Sequence, residues 1–303
     1  MRVLAGIGIA VFVLAIPLVL ITSAVRITIN TPLLYSYGFA ANEIPRATGI
    51  ENKELISAAR QIRHYFNDDN QFLNVRVSVA GIVRTLYNDR EIRHMEDVKR
   101  LVRGVYGVQI IAILYLIGFG AISLAAAPGR YPRELFRLFR WGAVLTLALV
   151  ILAGVASLLN FNQVFYNFHI ISFDNDLWQL DPSRDYLIAM FPQQFFFVAT
   201  VAIALGIIIA ATAVLAIASF SLSKGGRKEA KREKDSSPAE RLSGGQLSGN
   251  GGATVEERAA KSGRSVGAEK SADWGLAVYF ILEILMLVLG PVIMSRRSQQ
   301  KTT

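Results

Sequence analysis

The sequence has no cysteine among its 303 residues. That excludes disulfides, thiolate metal sites and a cysteine nucleophile, and the chain cannot itself carry a thioether- or thioester-linked lipid. Histidine is almost as scarce, with three in the chain. Charge is missing from four long apolar runs, residues 3–25, 105–127, 141–159 and 195–220. A bilayer crossing needs about 20 apolar residues, so each run is long enough to span. Ion- or proton-coupled transport needs ionisable groups at membrane depth, and runs without charge argue against it.

With 52% hydrophobic residues the chain is too apolar for one ordinary soluble domain. These patterns predict an all-α integral membrane protein, with four core transmembrane helices, a fifth at 274–294 and helical outward-facing loops. The first run reads as an uncleaved anchor, because its apolar core exceeds that of a signal peptide. The fifth contains Glu283 and would place a basic tail outside, so lying along the surface or returning inward also fits. The net charge of +9 tempts one toward nucleic acid, but its distribution argues against that partner.

Orientation follows from the short loops. Residues 128–140 hold Arg130, Arg133, Arg137 and Arg140 against Glu134, which makes that loop cytoplasmic. Residues 160–194 hold Arg184 against Asp174, Asp176, Asp181 and Asp185, which makes this segment outward-facing. Residues 26–104 then share that outer face. The domain reading is a four-span core at 1–220, a disordered basic cytoplasmic linker at 221–273 and the fifth helix with its tail at 274–303. The basic start of the linker suits a stop-transfer cluster better than a specific lipid site.

In the first outward segment, "NKELISAARQIRHYF" aligns Leu55, Ile56, Ala59, Ile62 and Phe66 on one stripe. "NDREIRHMEDVKRLVRGVY" opens with Asn88 and Glu91 at capping-box spacing and runs into the second span. Glu91, His94 and Asp97 recur every three residues, so either carboxylate can reach the imidazole and stabilise its protonated form. The same stretch also reads as an exposed helix of alternating charge, which Arg90, Arg93, Lys99 and Arg100 fit, and spacing alone favours that reading. His64 suits a surface or helix-capping role.

The second outward segment is dense in aspartates and aromatics, more than a connector needs. Asp174–Asn175 and Asp181-Pro182-Ser183 suit turns. Trp178, Phe191 and residues 195–197 suit an aromatic belt at the lipid boundary.

Two stretches together resemble the lipoprotein intramolecular transacylases of bacterial membranes and their uncharacterised relatives. They are "EIRHMEDVK" before the second span, and "FHIISFDNDLWQLDP" with "DYLIAMFPQQFF" before the fourth. The likeness covers about the first 220 residues; the linker, the fifth run and Gln193, where an acid is expected, depart from it. The resemblance implies that His94 and His169 match the family's essential histidines. It further implies an acyl shift from the diacylglyceryl group of a lipoprotein to its own amino-terminal amine, in the bacterial cell membrane, with no cofactor and no metal. Partners on that reading are lipoprotein substrates and membrane lipids. Glu91, Asp97, Asp174, Asn175, Asp176, Trp178, Asp181 and Arg184 are the supporting candidates, with Asn175, Trp178 and Arg184 as possible oxyanion donors.

Two other classes compete. A metal-dependent membrane hydrolase would use His94, His169 and an aspartate such as Asp97 or Asp174, though no HExxH motif or close histidine pair supports it. An enzymatic variant takes Ser172 as acyl nucleophile, without a nucleophile elbow around it. The last class is a non-catalytic membrane scaffold.

Overall fold

The computed structural model describes residues 2–79, 81–126 and 131–243. The order of elements is α1 (Arg2–Asn30), α2 (Pro32–Ala41), α3 (Ile44–Thr48), α4 (Asn52–Asn67), β1 (Arg76–Val79), β2 (Ile82–Thr85), α5 (Asp89–Ala126), α6 (Tyr131–Ser172), α7 (Tyr186–Met190) and α8 (Gln193–Ser243). Four of these helices, α1, α5, α6 and α8, are long and apolar enough to cross a membrane. The fold is all-α; its β content is one short antiparallel hairpin, Arg76 opposite Thr85 and Val79 opposite Ile82. The fifth apolar run, at 274–294, lies outside the described residues.

The chain divides into two units, Leu14–Ser219 and a second made of the chain ends. The second includes the start of α1 and the far part of α8. Helix α8 continues to Ser243, well into the stretch expected to be a disordered linker. The sequence there is rich in Lys, Glu, Arg and Ala, strong helix formers that extend a helix already nucleated in the apolar run. The other unit holds everything that follows.

Within that unit, the segments before the second and fourth spans fold together into one head. Helix α4 buries Leu55, Ala58, Ala59, Ile62, Tyr65 and Phe66. They join Tyr35 and Phe39 of α2, Val77 of β1, Met95 of α5, and Leu187, Met190 and Phe191 around α7 in one hydrophobic cluster. Phe191 and Phe195, expected in a lipid-facing belt, are instead buried in it. Phe195 packs so closely that a Cβ added at Gly38 would lie 2.5 Å from its Cε2. A side chain between two spans can face lipid or fold back, and Phe195 folds back against the rings of Tyr35 and Phe39.

Two local features aim the site. The capping box forms as read: Glu91 N–H donates to Asn88 Oδ1 (3.1 Å), and Asn88 N–H donates to Glu91 Oε2 (2.7 Å). In α6, Asn160 leaves helical geometry at φ −157° and ψ 81°. Its side chain then accepts from the Gln163 N–H at 3.1 Å, as an N-cap does. The last stretch of α6, which carries His169, is therefore started afresh after the apolar run.

Candidate functional site

His94 stands on the part of α5 that precedes its apolar run, and His169 on the part of α6 beyond Asn160. The head brings them together: their ring centroids are 6.3 Å apart. Both are buried, at 7% and 8% exposure. Phe173 sits against both rings, 5.2 Å from His94 and 5.7 Å from His169. Trp178 lies tilted over His169 at 5.0 Å and Phe165 at 4.3 Å, so the second imidazole is walled by aromatic faces.

The two imidazoles differ in their hydrogen bonds. His169 Nδ1 lies 2.8 Å from the Phe165 carbonyl, an acceptor only, which makes Nδ1 the donor and leaves the Nε2 lone pair free in the neutral ring. His94 Nδ1 is buried and has no partner. Burial and the neighbouring His169 push the His94 pKa down to about 4, with Asp97 opposing. Burial also lowers that of His169, against the Phe165 carbonyl, which favours the charged ring. Both imidazoles are held neutral near pH 7, as a base awaiting a proton must be.

Neither carboxylate expected to serve His94 hydrogen-bonds to it. Glu91, at 1% exposure, also accepts the Leu187 N–H at 2.6 Å in the first turn of α7. One carboxylate thus caps the starts of two helices. Burial raises its pKa, and the two backbone donors pull against that. Asp97 accepts from Asn175 Nδ2 at 2.9 Å and pairs with Arg100 at 3.3 Å. Spacing on a helix shows which groups can meet, but donors from another segment, the Leu187 N–H for Glu91 and the Asn175 side-chain amide for Asp97, compete for the same oxygens and win here.

The remaining candidates separate into two groups. Trp178 belongs to the wall of the pair, Asn175 is tied to Asp97, and Asp176 contributes its carbonyl to Arg90 of α5. Asp174 is exposed. Asp181 closes a turn through the Ser183 N–H and hydroxyl, and Arg184 reaches Asp181 and Asp185 at 3.9 and 3.6 Å. None of these three contacts either ring. His64, on the far end of α4, pairs with Asp68 at 3.2 Å and is exposed. Among the described residues, no three of His, Asp and Glu come together as metal ligands.

Sequence reasoning missed Asp185 as a structural residue. It is buried, and its oxygens accept from Asn88 Nδ2 (2.9 Å) and the Asp181 N–H (2.8 Å). Asn88, Glu91, Asp185 and Leu187 thereby lock the start of α5 to that of α7. A weak signal existed: Asp185 is the N-cap residue before "YLIAM".

Three comparisons bear on this arrangement. Residues 10–196 match the family model described as lipoprotein intramolecular transacylase Lit. An uncharacterised Aquifex aeolicus protein is 27% identical over 135 residues, 43% of this chain and 57% of that protein, so the match spans little more than half of the relative's length. The membrane-integral transacylase Lit of Bacillus cereus has a similar fold, with a TM-score of 0.63 at 21% identity over 75% of this chain and all of that one. A variant of the same enzyme with one histidine replaced by alanine superposes with a TM-score of 0.59 at 20% identity, over 73% and 94% of the two chains.

Proposed function

Since the chain belongs to the lipoprotein intramolecular transacylase family, a family of membrane acyltransferases, we propose that His94 and His169 drive an O-to-N acyl shift within a bound lipoprotein. The observation that carries this reading is the pair of buried, neutral imidazoles 6.3 Å apart beneath one head.

The substrate is a lipoprotein whose amino-terminal cysteine bears a diacylglyceryl thioether. Its α-ammonium has a pKa near about 8, so it first loses a proton to become nucleophilic. The amine nitrogen attacks the carbonyl carbon of a glyceryl ester. The new C–N bond forms, the C–O bond to glycerol breaks, and the second amine proton must travel to the departing oxygen. His169 takes that proton on Nε2, since its Nδ1–H is already engaged with Phe165. The Phe165 carbonyl steadies the imidazolium that results. His94, neutral at rest, receives that proton from His169 and, because burial disfavours its protonated form, gives it up readily to the glycerol oxygen, which leaves both rings neutral again. Amine and ester belong to one molecule, so holding them at near-attack distance supplies much of the rate. Nothing is oxidised and no second acyl donor is consumed.

We assign both histidine segments to the outer face, a reading supported by the arginine asymmetry of residues 128–140 against 160–194. The core at 1–220 carries the chemistry on this reading, and residues 221–303 do not take part.

An intramolecular shift leaves the mass of the lipopeptide unchanged, which dictates the test. Amino-terminal lipopeptides are isolated from cells with and without the protein, labelled with an amine reagent and fragmented in a mass spectrometer. The protein should convert amine-reactive diacylglyceryl peptides into unreactive isomers bearing one acyl chain on nitrogen. Equal amine reactivity in the two samples would refute the assignment.

A further inference from the structure

Where α1 leaves its apolar run, Asn30 gathers three helices. Its Nδ2 donates to the Tyr106 hydroxyl of α5 (2.7 Å), its Oδ1 accepts from Asn67 of α4 (2.8 Å), and its carbonyl accepts from Arg63 Nη1 (3.0 Å). Two guanidiniums are drawn to this hub. Arg26 stacks over the Tyr106 ring, 4.4 Å from its centroid, and donates to Gln109 Oε1 at 3.1 Å. Arg63 stands 5.9 Å from the Tyr35 centroid, and its Nε has no acceptor.

Every acceptor these two arginines use is neutral, and among the described residues neither forms an ion pair. The carboxylates nearby are engaged: Asp68 by Lys99 and His64, and Asp69 by Arg103 on the preceding turn of α5. Arg26 directly follows the apolar run of α1, and its partner Gln109 lies inside that of α5. This depth is that of the headgroup layer. Two positive charges left without a counter-ion at a membrane surface call for an anion, and a guanidinium fork on an aromatic face matches phosphate oxygens.

We propose that Arg26 and Arg63 form a binding site for the phosphate oxyanion of an anionic phospholipid, at the foot of the head where α1, α4 and α5 meet. The site is separate from the histidine pair and takes no part in the acyl shift, whose glyceryl substrate carries no phosphate. It would hold the head at a fixed depth over the bilayer.

The test is native mass spectrometry of the full-length protein in detergent, titrated with phosphatidylglycerol. Diacylglycerol with the same chains is the phosphate-free probe and inorganic phosphate the competitor. The wild type should retain one phosphatidylglycerol more firmly than diacylglycerol. The double variant Arg26→Gln, Arg63→Gln should bind it at least about tenfold more weakly, the scale of losing one charge-assisted hydrogen bond. Arg46→Gln, which alters an exposed arginine paired with Glu43, should bind as the wild type does. Equal retention by the double variant, or equal retention of diacylglycerol, overturns the site. Full displacement by millimolar inorganic phosphate would assign it to a free anion and overturn the lipid assignment. Should the glutamine pair fail to fold, the double lysine variant keeps the charge but loses the fork and must still bind more weakly; unchanged affinity there also refutes the proposal.

Discussion

Replacing Glu91 by alanine removes one carboxylate that serves two helix starts. Its oxygens accept the Asn88 N–H at 2.7 Å and the Leu187 N–H at 2.6 Å. Hydrogen bonds to a charged group contribute roughly 1.5–3 kcal/mol each, so the two together are worth about 3–6 kcal/mol before offsets. The main offset is the cost of keeping the carboxylate out of water, which its raised pKa reports. The net loss expected for Glu91→Ala is therefore about 2–4 kcal/mol. Helix α7 has five residues and no side-chain cap from its own N-cap, so nothing local replaces the lost acceptor. Leu187 and Met190 would then loosen from the core of the head. Glu91→Gln keeps one acceptor oxygen and removes the buried charge but turns an NH2 group toward the other backbone N–H, so it should cost less than alanine, about 1–2 kcal/mol. Chemical unfolding of the purified protein in detergent, followed by tryptophan fluorescence, measures both. If alanine and glutamine unfold together with the wild type, the account of Glu91 as a double cap is wrong.

Alanine at either His94 or His169 should lower the initial rate of the acyl shift by about 10²–10⁴-fold, with the double variant little worse and His64→Ala active; full activity in either single variant at normal expression would sink the proton relay. Acid should destabilise the head through His94. Its folded pKa of about 4 lies below the unfolded 6.5, so stability is intact above 6.5, falls as pH drops toward 4, and loses up to about 3 kcal/mol in all. His94→Gln should flatten that part of the pH profile in unfolding experiments, and an unchanged slope would contradict the burial argument. Gly38→Ala drives a methyl group into Phe195 and should cost about 1–3 kcal/mol, recovered in part by Phe195→Leu; a neutral result in unfolding assays would mean the contact yields freely. For orientation, Ser183→Cys should react with an impermeant thiol reagent on intact cells and Leu138→Cys should not, and the reverse pattern inverts the topology.

Much of this was legible in the sequence, for identifiable reasons. Four uncharged apolar runs, the stripe of α4 and the capping box of α5 are local patterns, and all appear where periodicity and spacing put them. What escaped depends on distant partners. Helix α2 has almost uniform hydrophobicity, so its buried face, Tyr35, Gly38 and Phe39, is set only by its partners in the fold, α4 together with Phe191 and Phe195. In the hairpin, β2 is exposed along its length and offers no alternation to read. The helical break at Asn160 sits inside "LLNFNQ", with neither proline nor glycine to mark it. Of the site, the two histidines could be singled out. The carboxylates around them could be found but not assigned, because Glu91 is claimed by Leu187 and Asp97 by Asn175, far along the chain.

The shared core of the head also fixes an order of events in biogenesis. A chain made from its amino terminus delivers α2, α4 and α5 first, with Tyr35, Phe39, Tyr87 and Met95 awaiting partners that lie beyond two further membrane crossings. Leu187, Met190 and Phe195 arrive only with the start of α8, and the cap from Glu91 to Leu187 cannot close before then. During that interval the half-made head is a sticky apolar surface beside the bilayer, the kind of intermediate that misassembles or recruits a chaperone. The same delay means that His94 exists without His169 until the third crossing is finished. A nascent chain therefore carries no assembled pair of imidazoles, and on the proposed mechanism competence is switched on by completion of the fold itself.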